Sequence, residues 1–275
     1  MRSRRTLRSI GTHSLLILVS MVFVLPILFM LLTALMTDQQ SLSPHLWPHP
    51  FVWQNFEQVF REAPLLLYTW NSFRYAALST VGTVLSCVPV AYALSRIRWR
   101  GRQGAFLLIL STLMLPATVT IVPLYVIFVR FHWIGSLKPL IVPSFFGDAF
   151  SIFLLRQFFM TIPQELSDAA RVDGGNELQI MMRVIVPLAK PAIAAVGLFN
   201  FLYAWDDFFG PLLFTGENPH SWTLAIALQQ FRGIHHVAWN LTMAASMLFM
   251  VPVIIVFFLA QRVFIEGVTL TGVKG

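Results

Sequence analysis

The sequence predicts an all-α integral membrane protein, a six-helix transmembrane bundle forming a single domain over its 275 residues. Three observations carry the prediction. First, 57% of the residues are hydrophobic and 11% charged, where ordinary soluble domains carry roughly 25% charged residues. A soluble fold of that make-up would leave far too much apolar surface in water. Second, the apolar residues gather into runs of about 13–35, 72–95, 104–129, 139–160, 191–214 and 241–265. Each is near the ~20 residues that a helix needs to cross a bilayer. Third, arginine and lysine crowd onto alternate connections, the pattern expected of loops held on the cytoplasmic side.

The opening, MRSRRTLRSIGTHSLLILVSMVFVLP, has the basic head and apolar middle of a signal peptide. Its apolar run continues from Leu15 to Leu35 with no small-residue cleavage pattern, so it reads as a first span that is kept. Residues 37–70 form an external segment with Trp47, Trp53 and Trp70 as interfacial anchors. The second span carries the lone cysteine, Cys87, in an apolar run without metal-ligand spacing, which reads as packing. The basic run from Arg96 to Arg102 reads as a topology anchor, with anionic lipid as a secondary contact. Pro26, Pro89, Pro116, Pro123, Pro143, Pro211 and Pro252 fall inside apolar runs. Each removes a backbone hydrogen bond and tends to kink its helix. Residues 215–240 form a second external loop. His235 and His236 are adjacent and do not share a helical face, which argues against a metal site.

With six spans both termini lie on one side. That side holds Arg2, Arg4, Arg5, Arg8, Arg96, Arg98, Arg100, Arg102, Arg171, Arg183, Lys190, Arg262 and Lys274. The other has only Arg61, Arg74, Arg130, Lys138 and Arg232. The basic side is assigned to the cytoplasm. The same asymmetry accounts for the net charge of +7 without nucleic acid as a partner.

Between the fourth and fifth spans, on the cytoplasmic side, residues 163–192 read PQELSDAARVDGGNELQIMMRVIVPLAKPA. A plain turn needs far fewer residues. Thr161 to Gln164 fits a capping box with Pro163 in the first turn. Helix formers follow to about Val172, and Gly174-Gly175 permits a sharp break. Asn176 to Gln179 caps a second helix, with Leu178, Met181, Met182 and Ile185 on one face and Pro187 at its end. Small Ala169 and Ala170, flanked by Asp168, Arg171 and Asp173, make a knob that fits a groove on a partner protein. The alternative is a hairpin lying on lipid headgroups, which its acidic residues disfavour.

These residues resemble a known motif. Asp168-Ala169-Ala170, Gly174 after three intervening residues, and Val184-Ile185-Val186-Pro187 after nine more are similar to the EAA loop of ABC importer permeases. Asp stands for the leading Glu, and Val184 and Val186 for Ile and Leu. The stretches AYALSRIRWRGR, MLPATVTIVPLY and NFLYAWDDFFGPLLF and the tail GVTLTGVKG resemble the carbohydrate (maltose-type) branch of that family.

The resemblance implies a MetI-like transmembrane bundle in which this loop is a coupling helix docked into a cytoplasmic ATPase. Glu165, Asp168, Ala169, Ala170, Asp173, Gly174 and Pro187 are its expected coupling residues. The sequence has no Gly-x-x-x-x-Gly-Lys-Ser/Thr cradle, so it is not expected to be an enzyme or to bind a cofactor. ATP with Mg²⁺ would sit on an ATPase subunit dimer. A second permease subunit, an extracytoplasmic sugar-binding protein and membrane lipid are the other implied partners. The implied location is the bacterial inner membrane, crossed many times, with both termini cytoplasmic.

Ionisable groups within spans usually face a cavity or a partner. Asp206 and Asp207 lie mid-span beside Trp205, and Asp148 lies in the fourth span. Carboxylates accept hydrogen bonds from sugar hydroxyls, and aromatic faces stack on sugar rings. Asn200, Tyr203, Trp205, Asp206 and Asp207 are therefore the candidate substrate-cavity residues, with interhelical hydrogen bonding or packing as the competing role. Relatives often carry Asn where Asp206 stands, and the extra carboxylate would favour an amino-bearing sugar. Two other functions compete: an ATP-independent carrier or channel, and a membrane-embedded enzyme acting on lipid-linked sugars. Neither uses the 163–187 segment.

Overall fold

The computed structural model describes residues 2–231 and 237–272, with side chains from 11 to 261 apart from Ala117, Gln230, residues 232–236 and Ala260. His235, His236, Arg232 and Lys274, singled out above, lie outside the described residues, and the side chains of Arg2 to Arg8 and of Arg262 do as well. The regular elements are helices: α1 (Arg2–Ala34), α2 (Asp38–Ser41), α3 (Gln54–Glu62), α4 (Leu65–Ser95), α5 (Arg102–Thr112), α6 (Ala117–Arg130) and α7 (Lys138–Ile141). A 3₁₀ turn over Val142–Phe146 leads to α8 (Ala149–Thr161), α9 (Gln164–Val172) and α10 (Glu177–Ile180). A π-helical turn over Met181–Ile185 joins α10 to α11 (Val186–Leu188). Then come α12 (Lys190–Asp206), α13 (Phe209–Thr215), α14 (Leu224–Ala227) and α15 (Trp239–Gly272).

Among the described residues, four stretches are long and apolar enough to cross a membrane: Gly11–Ala34, Leu65–Ser95, Lys138–Thr161 and Trp239–Leu259. They match the first, second, fourth and sixth expected spans. The other two are interrupted. The expected 104–129 span breaks before Pro116, leaving the short apolar α6 beyond it. The expected 191–214 span breaks at Asp207-Phe208, so α12 is followed by a separate α13. The prolines divide in the same way. Pro26, Pro89, Pro123 and Pro252 sit inside helices. Pro116 is the N-cap of α6, and Pro143 opens the 3₁₀ turn, where a missing N–H costs nothing.

The chain divides into two compact units. One comprises residues 1–66 and 227–252. One joint of this unit lies just after α1, whose last carbonyls have no intrahelical donor. Asn55 of α3 is buried there, and its Nδ2 donates to Ala34 O at 2.8 Å and Met36 O at 2.7 Å. The apolar part of α1 itself is not buried anywhere along its most apolar window.

The other unit comprises residues 67–226 and 253–275. Its core brings together Cys87, Ala91 and Tyr92 of α4, Leu155 and Phe159 of α8, Ile180 and Ile185 of the charged hairpin, and Val196 of α12. Cys87 is fully buried and accepts a hydrogen bond from Asp148 N at 3.3 Å, so it packs and also holds the start of α8. At Gly82 the backbone of α4 lies against the 3₁₀ turn, and a Cβ there would fall 2.6 Å from the Phe145 ring.

Candidate functional site

The charged hairpin turns on a glycine break and a reciprocal helix cap that the sequence carries. Helix α9 runs Gln164–Val172 and closes on Asp173. Gly174 then adopts φ +82°, its N–H bonds Arg171 O at 3.0 Å, and the Gly175 N–H bonds Ala170 O at 2.9 Å. This pair is the Schellman arrangement, with glycine at the left-handed position. Gly175 is needed for a different reason: a Cβ would lie 2.8 Å from Ala170 O. Asn176 and Gln179 cap α10 reciprocally, at 2.9 and 3.0 Å.

Three local expectations are corrected. Thr161 belongs to α8 and bonds Phe158 O, so Pro163 is the N-cap of α9 and no side chain caps it. The buried face of the second helix is Ile180, Met181 and Ile185, while Leu178 and Met182 are exposed. The π-helical turn at Met181–Ile185 rotates the face away from plain 3.6-residue periodicity. Pro187 does not end that helix, which runs to Leu188 before an 80° bend into α12.

Helix α9 presents Glu165, Leu166, Ala169, Val172 and Asp173 outward, with Val172 88% exposed. These positions, spaced i, i+1, i+4, i+7 and i+8, form an apolar ridge with an acidic residue at each end. Ala169 is on it. Ala170 is not: it is half-buried and packs on the core. Leu166 and Val172 extend the ridge beyond the pair of alanines that the sequence singled out. Asp168 is exposed and pairs with Arg171 at 2.6 Å, and Arg171 also pairs with Glu177 at 2.8 Å. That second pair raises the Arg171 pKa and holds the Glu177 carboxyl below its usual range.

A cavity of about 530 Å³ lies among α4, the 3₁₀ turn, α8 and α12. Its polar wall is Thr83, Ser144, Asp148, Ser151, Asn200 and Tyr203, and its apolar wall is Pro143, Phe150 and Phe199. Asp148 serves as N-cap of α8, accepting from Ser151 N at 2.8 Å. The Asn200 carbonyl accepts from Ser79 and Thr80 of α4, both at 3.3 Å. Tyr203 is 72% exposed and also borders a second depression, shared with Leu202, Asp206, Asp207, Phe208 and Phe209.

The five expected cavity residues are thus divided. Asn200 and Tyr203 line the cavity, and Asp206 and Asp207 line the neighbouring depression. Asp207 has a structural task there. It accepts from Tyr75 OH at 2.9 Å and from Gly210 N at 3.0 Å, the start of α13. Trp205 lines neither; it is buried and stacked on Phe201 with ring centroids 5.9 Å apart. Thr83, Ser144 and Ser151 carried no signal in the sequence, because single hydroxyls in apolar runs are common. Neither surface has a lysine or arginine among its lining residues.

Comparison with known proteins follows the same lines. Residues 87–269 match the family model described as binding-protein-dependent transport system inner membrane component. The chain is 33% identical to a sulfoquinovosyl glycerol transport system permease protein of Agrobacterium fabrum, over 91% of this chain and 88% of that one. It is 33% identical to an arabinooligosaccharides transport system permease protein of Halalkalibacterium halodurans, over 83% and 81%. It is 32% identical to an sn-glycerol-3-phosphate transport system permease protein of Yersinia enterocolitica, over 93% and 94%. In fold it is similar to a chain of a bacterial ABC transporter involved in the import of the acidic polysaccharide alginate. The TM-score there is 0.79 and the identity 24%, covering 95% of this chain and 98% of the other.

Proposed function

The chain belongs to the binding-protein-dependent transport system inner membrane components and is the permease subunit of an ABC importer; from that premise we propose that it carries a sugar or sugar derivative into a bacterial cytoplasm, driven by separate ATPase subunits. As a permease it is a transport component and not an enzyme. Both termini and the 161–190 loop face the cytoplasm of the inner membrane, as the distribution of arginine and lysine supports. The observation that carries the coupling role is the exposed ridge of α9, Leu166, Ala169 and Val172 between Glu165 and Asp173. It is an apolar surface of small and medium side chains with an acidic residue at each end, and it suits a cleft on an ATPase. ATP and Mg²⁺ bind on that partner. Alternation between outward- and inward-open states draws its energy from the partner's differential affinity for the two.

The solute passes the surface around Asn200, Tyr203 and Asp206, with Asp207 behind it. Hydroxyls and amides there exchange hydrogen bonds with sugar hydroxyls, and Phe199 and Tyr203 offer faces for ring stacking. The absence of a cation among the lining residues, together with the carboxylates Asp148, Asp206 and Asp207, favours neutral or amino-bearing sugars over anionic ones. A second permease subunit completes the pathway, and an external binding protein delivers the solute. Affinity purification of the chain from native membranes in mild detergent tests this reading. Recovery of an ATPase pair and one second permease is the expected result, and a chain that is stable and active alone would overturn it.

A further inference from the structure

Helices α4 and α8 end close together, and each leaves its last carbonyls without intrahelical donors. The two ends exchange arginines. Arg96, the residue after α4, is 4% exposed. Its Nη1 donates to Phe159 O at 3.3 Å and Ile162 O at 2.6 Å, and its Nη2 to Pro163 O at 2.8 Å and Ser167 Oγ at 2.8 Å. In return Arg156 of α8, also buried, donates from Nε to Leu94 O at 3.1 Å and lies 3.9 Å over the Phe106 ring. One turn back from Arg96 on α4, the Tyr92 hydroxyl donates to Glu177 Oε2 at 2.6 Å, and Glu177 holds Arg171 of α9.

Helix α9 has little else to hold it. Ser167 is its only fully buried residue, and that hydroxyl accepts from Arg96. The apolar side chains of α9 mostly face away, with only Ala170 turned towards the core. A planar guanidinium holds its donors in a rigid fork spread over separate nitrogens, whereas a lysine ammonium gathers its three donors on a single atom. A buried charge of this kind is tolerated only where its acceptors are fixed around it.

We propose that Arg96, supported by Tyr92, is a positioning residue that locks α9 and the ends of α4 and α8 into one body. A displacement of α9 is then delivered to α4. The middle of α4 carries Thr83 beside the cavity and holds Asn200 through Ser79 and Thr80. The transport consequence rests on α9 being the docking helix, whereas the rigidity does not.

The test uses the assembled importer with Cys87→Ser and spin labels on cysteines placed at Gln164, at the start of α9 and off the docking ridge, and Leu85, without nucleotide and trapped with ATP and vanadate. The expected result is one narrow label separation, equal in both states. Arg96→Met should split or broaden it in the trapped state, and Arg96→Lys should recover only part of the narrow population. Where Arg96→Met does not assemble, Ser167→Ala and Tyr92→Phe, which each remove one hydroxyl, carry the same comparison. A separation that changes between states in the parent protein overturns the proposal, as does one that no substitution disturbs. Retention of the ATPase subunits in the parent complex reports on the docking reading separately, so the two can fail independently.

Discussion

Gly174 turns left-handed at φ +82°, and beside it Gly175 has room for a hydrogen but not a methyl group. The two glycines therefore fail differently when substituted. Gly174→Ala should cost about 1–2 kcal/mol from backbone strain alone. Gly175→Ala should cost more, because the obstacle is the Ala170 carbonyl and not a movable side chain. Hydrogen exchange of the 164–180 amides should show greater opening in the second variant. The Arg171–Glu177 pair gives a pH dependence at the same scale. Arg171 depresses the Glu177 pKa, so the pair's contribution is complete above the ordinary glutamate range and is lost as pH falls through the lowered value. Exchange protection of the hairpin should be flat from pH 8 to about 5 and fall below about pH 4.3, the ordinary glutamate value. Protection independent of pH across that range would mean that the pair contributes nothing.

Helix α9 shows what distinguishes neighbouring alanines. Ala169 faces outward and Ala170 packs against the core. Ala169→Arg should leave membrane insertion and thermal stability unchanged while the ATPase subunits no longer co-purify. Ala170→Arg should instead lower stability, by an overpacking cost of about 1–3 kcal/mol or more once the charge is counted. Equal behaviour of the two variants would argue against docking through this face. Both alanines belong to the motif that was legible in the sequence, as were the Gly-Gly break and the Asn176–Gln179 cap. The π-helical turn was not legible, and the buried face is Ile180, Met181 and Ile185, so Met181 and Ile185 stay on it while Leu178 and Met182 do not.

Across the whole molecule, the candidate cavity draws on residues from Thr83 to Tyr203, and no short stretch of sequence contains it. Its acidic surroundings lead to a selectivity prediction. Asp206→Asn should reduce any preference for amino-bearing over neutral sugars in uptake by the assembled importer, by up to roughly tenfold for the loss of one charge-assisted bond worth about 1.5 kcal/mol. An unchanged preference would remove Asp206 from recognition and leave it as a bystander to Asp207. Trp205 illustrates the opposite error of scale. Its place in an aromatic, acidic stretch pointed to a solute, but helix α12 turns it into the core against Phe201.

By itself the sequence determined the membrane class, four of the spans, the family and, in the hairpin, the Gly-Gly break and the Asn176–Gln179 cap. Hydropathy, helix caps and left-handed glycines act over a few neighbouring residues, and so they are written in the order of the chain. Only the tertiary structure decided which face of α9 is free, which side chains wall the cavity, and what Arg96 does. Arg96 looked like one basic residue among several at the end of a span, yet it is buried and holds Ser167, 71 residues away. Such a contact depends on two helix ends meeting with unpaired carbonyls, and hydropathy does not encode where two ends will meet.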